Sequence, residues 1–125
     1  MGDCSRCERR TVFDDLTTQA LEVSIAGLSA RQRALADNVA NIDTPNFLAK
    51  RVVFEDSLKA AIASGDPGAA QITTLTSLEP TNTNGNNVNL DEETVSAIDT
   101  GLKYQTDIEA LTAKYQLLKT AIGSP

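Results

Sequence analysis

Asn38-Val39-Ala40-Asn41-Ile42-Asp43-Thr44-Pro45-Asn46-Phe47 decides the fold, because a long helical pattern runs into it and stops. Upstream, Leu21, Leu28, Leu35 and Ile42 recur every seven residues, and Ile25 and Val39 each follow one of them by four. That spacing makes a one-sided apolar stripe and predicts a helix over 12–42, with Thr11 as cap and Asp14 and Asp15 in the first turn. At 1.5 Å per residue the rod is roughly 45 Å long, which points to a coiled coil or bundle. Ala20, Gly27 and Ala34 form a second row, again seven apart. A glycine inside a helix costs about 1 kcal/mol, and close approach of another backbone along this small-residue row would offset it. Pro45 ends the helix, since it disfavours α geometry at Thr44 and has no N–H to donate.

Beyond the corner, residues 43–52 read as an extended turn in which Lys50-Arg51 is a solvated basic pair. A short helix is expected over 53–63, with Phe54, Leu58 and Ile62 on one face and Glu55 and Lys59 spaced for an i,i+4 pair. Gly65-Asp66-Pro67-Gly68 stops it. Residues 64–89 are rich in Gly, Pro, Asn, Thr and Ser and read as a flexible loop, with room for a short strand near 71–75. Asn89 then caps a second long helix, 90–122, with Asp91, Glu92 and Glu93 in its first turn. Val95, Ile98 and Leu102 begin its stripe, and Ile108, Leu111, Tyr115, Leu118 and Ile122 continue it.

The expected fold class is therefore all-α: two long terminal helices pairing as an antiparallel coiled coil, a short third helix and an irregular middle. The expected seam is Leu21, Leu28 and Leu35 against Ile98, Leu102, Ile108, Leu111, Tyr115 and Leu118, with Tyr104 beside it. One two-helix seam covers only part of each stripe, so leftover apolar surface is expected to meet other chains.

Composition narrows the function. The chain has 125 residues, one small domain at most, and few aromatics (4%) to build a thick core. A net charge of −6 argues against nucleic acid and against anionic membrane surfaces. No apolar run approaches the roughly 20 residues of a membrane span. The N-terminus lacks the apolar core of a cleaved secretory signal, so export, if any, is expected by another route. With no His in the chain and no base beside its thiols, no catalytic constellation is visible, and no cofactor motif appears. Cys4 and Cys7 could be a metal or redox pair, but a zinc site needs about four ligands, so they read as thiols in a disordered tail spanning 1–11. Arg6 stands where a myristoylation signal needs Ser or Thr. The Asp91-Glu92-Glu93 cluster lacks calcium-loop spacing and reads as helix N-terminal acids.

Ala34-Leu35-Ala36-Asp37-Asn38-Val39-Ala40-Asn41, followed by Ile42 to Phe47, resembles the N-terminal signature of the flagellar basal-body rod and hook proteins. Gly85-Asn86-Asn87-Val88-Asn89-Leu90-Asp91-Glu92-Glu93 is similar to the sequence that opens that family's C-terminal helix. Leu102-Lys103-Tyr104-Gln105 and Leu118-Lys119-Thr120-Ala121-Ile122 resemble the ending of its short, proximal-rod members. The likeness covers about 13–63 and 84–122. Asn46 replaces the usual glycine after Thr-Pro, Leu48 stands where a basic residue is common, and the Cys-bearing tail has no counterpart.

The resemblance implies a non-enzymatic subunit, exported uncleaved by the flagellar type III apparatus, that polymerises with other rod proteins. The product is a hollow shaft carrying torque across the periplasm from the membrane ring and export base. It also implies that Asn38, Asn41, Thr44, Pro45, Phe47, Asn86, Asn87 and Leu90 are the motif and assembly residues, with the Asn-rich corner packing on adjacent subunits. The alternative is a soluble helical-hairpin adaptor or export-associated binding module.

Overall fold

A computed structural model describes residues 15–123. Its elements are α1 (Leu16–Ala40), β1 (Lys50–Val53), α2 (Glu55–Ala63), a 3-10 turn (Pro67–Ala69), β2 (Thr73–Thr76) and α3 (Leu90–Gly123). The Thr11 cap and the Cys4/Cys7 pair lie outside the described residues. Asp15 is extended, and its carboxylate accepts the Thr18 N–H at 3.0 Å, so α1 opens at Leu16 rather than at residue 12.

Helices α1 and α3 lie side by side and antiparallel. Asn38 meets Glu93, Ser24 meets Asp107 and Asp15 meets Lys114, so partners advance along α3 as they retreat along α1. Asn89 caps α3 as its sequence suggests, accepting the Asp91 N–H at 3.1 Å.

The fold is mostly helical but not all-α. Residues read as a solvated turn and a flexible loop pair as a two-stranded antiparallel sheet, with Lys50 opposite Thr76 and Val53 opposite Thr73. Arg51 stays exposed on a strand only because the sheet has a solvent face, which is where an edge strand tolerates charge. The rest of 64–89 is irregular yet held in place, for reasons that lie in its asparagines.

The core also sits elsewhere than expected. Leu28, Val52, Phe54 and Leu58 form it, flanked by Ala20, Val23, Ala30, Ala34, Ala70 and Tyr104. It lies where α1, β1 and α2 meet, not along the two long helices. The small-residue row does admit a close neighbour, but that neighbour is a ring and not a backbone. A Cβ on Gly27 would stand 2.5 Å from Phe54 Cδ1. Arg31 closes the same junction: its guanidinium lies 5.1 Å over the Phe54 ring and donates to the Val52 carbonyl at 2.9 Å. Glu55 pairs with Arg31 rather than with Lys59, and that guanidinium holds its carboxyl below the usual carboxylate range.

Candidate functional site

The two asparagine signatures, 45 residues or more apart in places, come together in one corner. Asn38 is fully buried in the last turn of α1. Its Oδ1 accepts the Lys50 N–H at 2.8 Å, and its Nδ2 donates to the Lys50 carbonyl at 2.9 Å and to Glu93 Oε2 at 3.1 Å. The amide thus acts as a third strand for one residue, and it ties α1 to both β1 and α3. Asn41 follows the helix, donates back to the Asp37 carbonyl at 2.8 Å and accepts from Thr44 Oγ1 at 3.1 Å.

From the other signature, Asn86 is also fully buried and donates to the carbonyls of Asn41 and Thr44, both at 2.8 Å. Asn87 accepts the Ala49 N–H at 2.6 Å and donates to the carbonyls of Ser77 and Glu79. Each side chain satisfies backbone groups that no helix or sheet reaches, which is what lets an irregular segment stay buried. Asn46 takes φ 61°, the left-handed conformation that glycine or asparagine adopts most readily. Gly85, at φ 82°, lies against Asn46, and a Cβ there would collide with its side chain.

These polar contacts all lie within the chain. Asn38, Asn86 and Asn87 are withdrawn from solvent, whereas Thr44, Pro45 and Leu90 are exposed and Phe47 is half-buried, with the Lys50 ammonium 5.9 Å over its ring. Lys50, Ala49 and Glu93 belong to the corner too, although sequence reasoning left them out. The missing signal is long-range: nothing local to Lys50 says that its backbone will meet Asn38.

The seam needs a larger correction. On α3 the positions withdrawn from solvent are Glu93, Ser96, Thr100, Gly101, Tyr104, Asp107, Leu111, Lys114 and Leu118. Leu111 and Leu118 are among them, and on α1 Leu28 is buried and Leu21 and Leu35 are half-buried. Ile98 and Leu102 are not: they are 60% and 62% exposed, beside Val95 at 67%. Ile108 and Tyr115 flank the seam and stay exposed, the Tyr115 hydroxyl 3.3 Å from Glu22 Oε1.

The physical reason is a polar ladder. Glu93, Thr100, Asp107 and Lys114 recur every seven residues and face α1, where Asn38, Ser24 and Asp15 answer three of them. Only the Thr100 hydroxyl, 1% exposed, has no partner. Lys114 holds the Asp15 carboxyl below the usual carboxylate range through its hydrogen bond. Turning the polar ladder inward turns the apolar start of α3 outward. Beside it, a groove of about 480 Å³ runs between α2 and α3, lined by Leu28, Phe54, Leu58, Ile62 and Leu102.

Among the described residues no cluster of His, Cys, Asp or Glu could hold a metal ion, and no helix is long and apolar enough to cross a membrane. An internally bonded corner beside an open apolar helix face marks a structural protein. No family model matches the chain. It is 32% identical over 102 residues to the flagellar basal body rod protein FlgB of Yersinia enterocolitica, covering 65% of this chain and 74% of that one. It is 30% identical over 113 residues to FlgB of Aeromonas hydrophila, covering 76% and 84%. It is 29% identical over 131 residues to FlgB of Bacillus subtilis, covering 85% and 92%. The chain belongs to the FlgB family of flagellar basal body rod proteins and is a structural component of that rod.

Proposed function

We propose that this chain is a subunit of the proximal basal-body rod, with residues 12–125 acting as one rod-protein domain. It polymerises with other copies and with other rod proteins on the membrane-ring and export base. The result is the hollow shaft that carries torque across the periplasm. The observation that carries this reading is the outward face of Val95, Ile98 and Leu102, three large apolar residues more than half exposed on one helix. In the rod, helices of adjacent subunits cover that face, completing the coiled-coil packing that α1 and α3 begin. A repeating heterologous contact of this kind closes into a tube rather than a dimer.

Ile98→Asp and Leu102→Asp test it. Neither side chain supports the monomer, so each variant is expected to fold normally and to abolish rod assembly and swimming. Wild-type motility from cells carrying both substitutions would sink the proposal. An adaptor or export-associated module would instead give a small complex of fixed stoichiometry when purified protein is mixed with other rod proteins, where a rod subunit gives ordered polymers visible by electron microscopy.

A further inference from the structure

The two-stranded sheet has one closed edge and one open edge. Ser77 donates to the Ala49 carbonyl at 2.8 Å, which sets the alternation: Ala49, Arg51 and Val53 turn their backbone groups toward β2, and Lys50 and Val52 turn theirs toward α1. That inner edge is filled by side chains. Asn38 takes both backbone groups of Lys50, and Arg31 takes the Val52 carbonyl. By the same alternation Leu75 and Thr73 face β1, and the N–H and C=O groups of Thr74 and Thr76 point outward, where no described residue meets them.

Natural edge strands usually carry a charge, a proline or a bulge that blocks pairing. Here there is none: all four residues of β2 are exposed, and residues 67–78 contain no Asp, Glu, Lys or Arg. On β1 side chains take that role, but β2 has no such side chain beside it, and a second extended strand fits the spacing of its outward ladder groups. Among the described residues of a second copy, the Lys50 groups and the Val52 carbonyl on the inner edge of β1 are already taken, so the strand with an open edge is another β2.

We infer that β2 is a self-association edge, pairing antiparallel with β2 of a second copy about a two-fold axis at Leu75. Thr74 then exchanges both hydrogen bonds with Thr76 of the second copy. The two Leu75 side chains, each 50% exposed in one chain, meet in the closer, non-hydrogen-bonded pair. No like charges oppose each other across that axis. The contact is isologous and therefore closed, so it cannot propagate a tube; it pairs free subunits and must open before they join a polymer. It goes beyond the rod reading and does not depend on it.

The test uses the purified full chain in solution, with Cys4→Ser and Cys7→Ser as background. Leu75→Cys is expected to form a covalent dimer under mild oxidation several-fold faster than Leu78→Cys, whose position is 97% exposed but lies off the axis. In sedimentation, the wild-type chain is expected to shift from one chain's mass toward two as concentration rises. Thr74→Pro, which removes only an outward N–H, and Thr76→Lys, which charges the edge, are each expected to abolish that shift with unchanged helical circular dichroism. Equal oxidation rates at the two positions overturn the inference. So does a chain that stays monomeric at every concentration, a dimer insensitive to both edge variants, or protection of β2 amides that arises only on adding a different rod protein.

Discussion

The asparagine corner and the α1–α3 seam are neighbours built on opposite terms. In the corner, Asn38, Asn86 and Asn87 are buried and every one of their side-chain amides is bonded to backbone within the chain. On the two long helices, polar residues face each other, the buried hydroxyls of Thr18 and Thr100 go unanswered, and the apolar residues that begin α3 look outward. The corner is finished in a single chain. On the proposed rod reading, the seam is left for neighbours to complete, and a subunit that stays unpolymerised until it reaches its site gains from this division, because its bend is fixed beforehand.

The contrast breaks first if the corner proves dispensable. Asn38→Ala removes three hydrogen bonds and leaves the N–H and C=O of Lys50 and the carboxyl of Glu93 without that partner. Losing a buried polar partner costs about 1–3 kcal/mol per stranded group, less where water reaches it, so a total near 3 kcal/mol is expected. Urea denaturation of the purified chain measures it. A cost below about 1 kcal/mol would mean that the corner is a surface loop after all.

The next effect lies at the junction between the two regions. Gly27→Ala would gain roughly 1 kcal/mol of helix propensity on an open helix. Here the new methyl meets the Phe54 ring, so overpacking of about 1–3 kcal/mol should win and the variant should unfold earlier. Adding Phe54→Leu to Gly27→Ala should cost less than the two separate losses together, because the smaller side chain vacates the space the methyl needs. Strict additivity in denaturation would show that the ring is not what requires the glycine.

What the sequence made legible, and what it hid, follows the same division. The two long helices and the Asn89 cap rest on local chemistry, and local chemistry is written in adjacent residues; the end of α1 was legible to within two residues, at Ala40 rather than 42. A short strand near 71–75 was legible, but its partner was hidden, because Lys50-Arg51 looks like a solvated turn and what makes it a strand is pairing across 26 positions, with Lys50 opposite Thr76. The face of α3 was hidden for another reason. Periodicity says which residues share a stripe, not which chain covers it, so Ile98 and Leu102 read as a seam within the molecule. The better signal was the seven-residue spacing of Glu93, Thr100, Asp107 and Lys114, which looks like ordinary surface charge until α1 supplies its partners.

A smaller effect of opposite sign sharpens the seam. The Thr100 hydroxyl is buried without a partner, so Thr100→Val keeps the shape and removes an unmet polar group. It should leave stability unchanged or raise it by up to about 1 kcal/mol. A loss of stability in thermal melts would mean that water or a neighbouring group reaches that hydroxyl, and that the seam is less bare than its geometry indicates.

The smallest expected effect is electrostatic, at the far end of the seam. Lys114 holds the Asp15 carboxyl below the usual carboxylate range, so the native state keeps that group ionised where the unfolded chain would protonate it. The sign follows: the contribution is full above the unfolded carboxylate pKa of about 4, and it is lost as pH falls through the lower native value. Asp15→Asn isolates the ion pair, since asparagine still accepts the Thr18 N–H as a helix cap. The wild-type chain should be more stable than this variant by at most about 1 kcal/mol near neutral pH. The gap should narrow as pH falls below the unfolded carboxylate pKa of about 4 and shrink in high salt. Equal stability of the two chains at every pH would assign the role of Asp15 to capping alone. The seam would then hold its far end by packing of Leu111 and Leu118 rather than by charge.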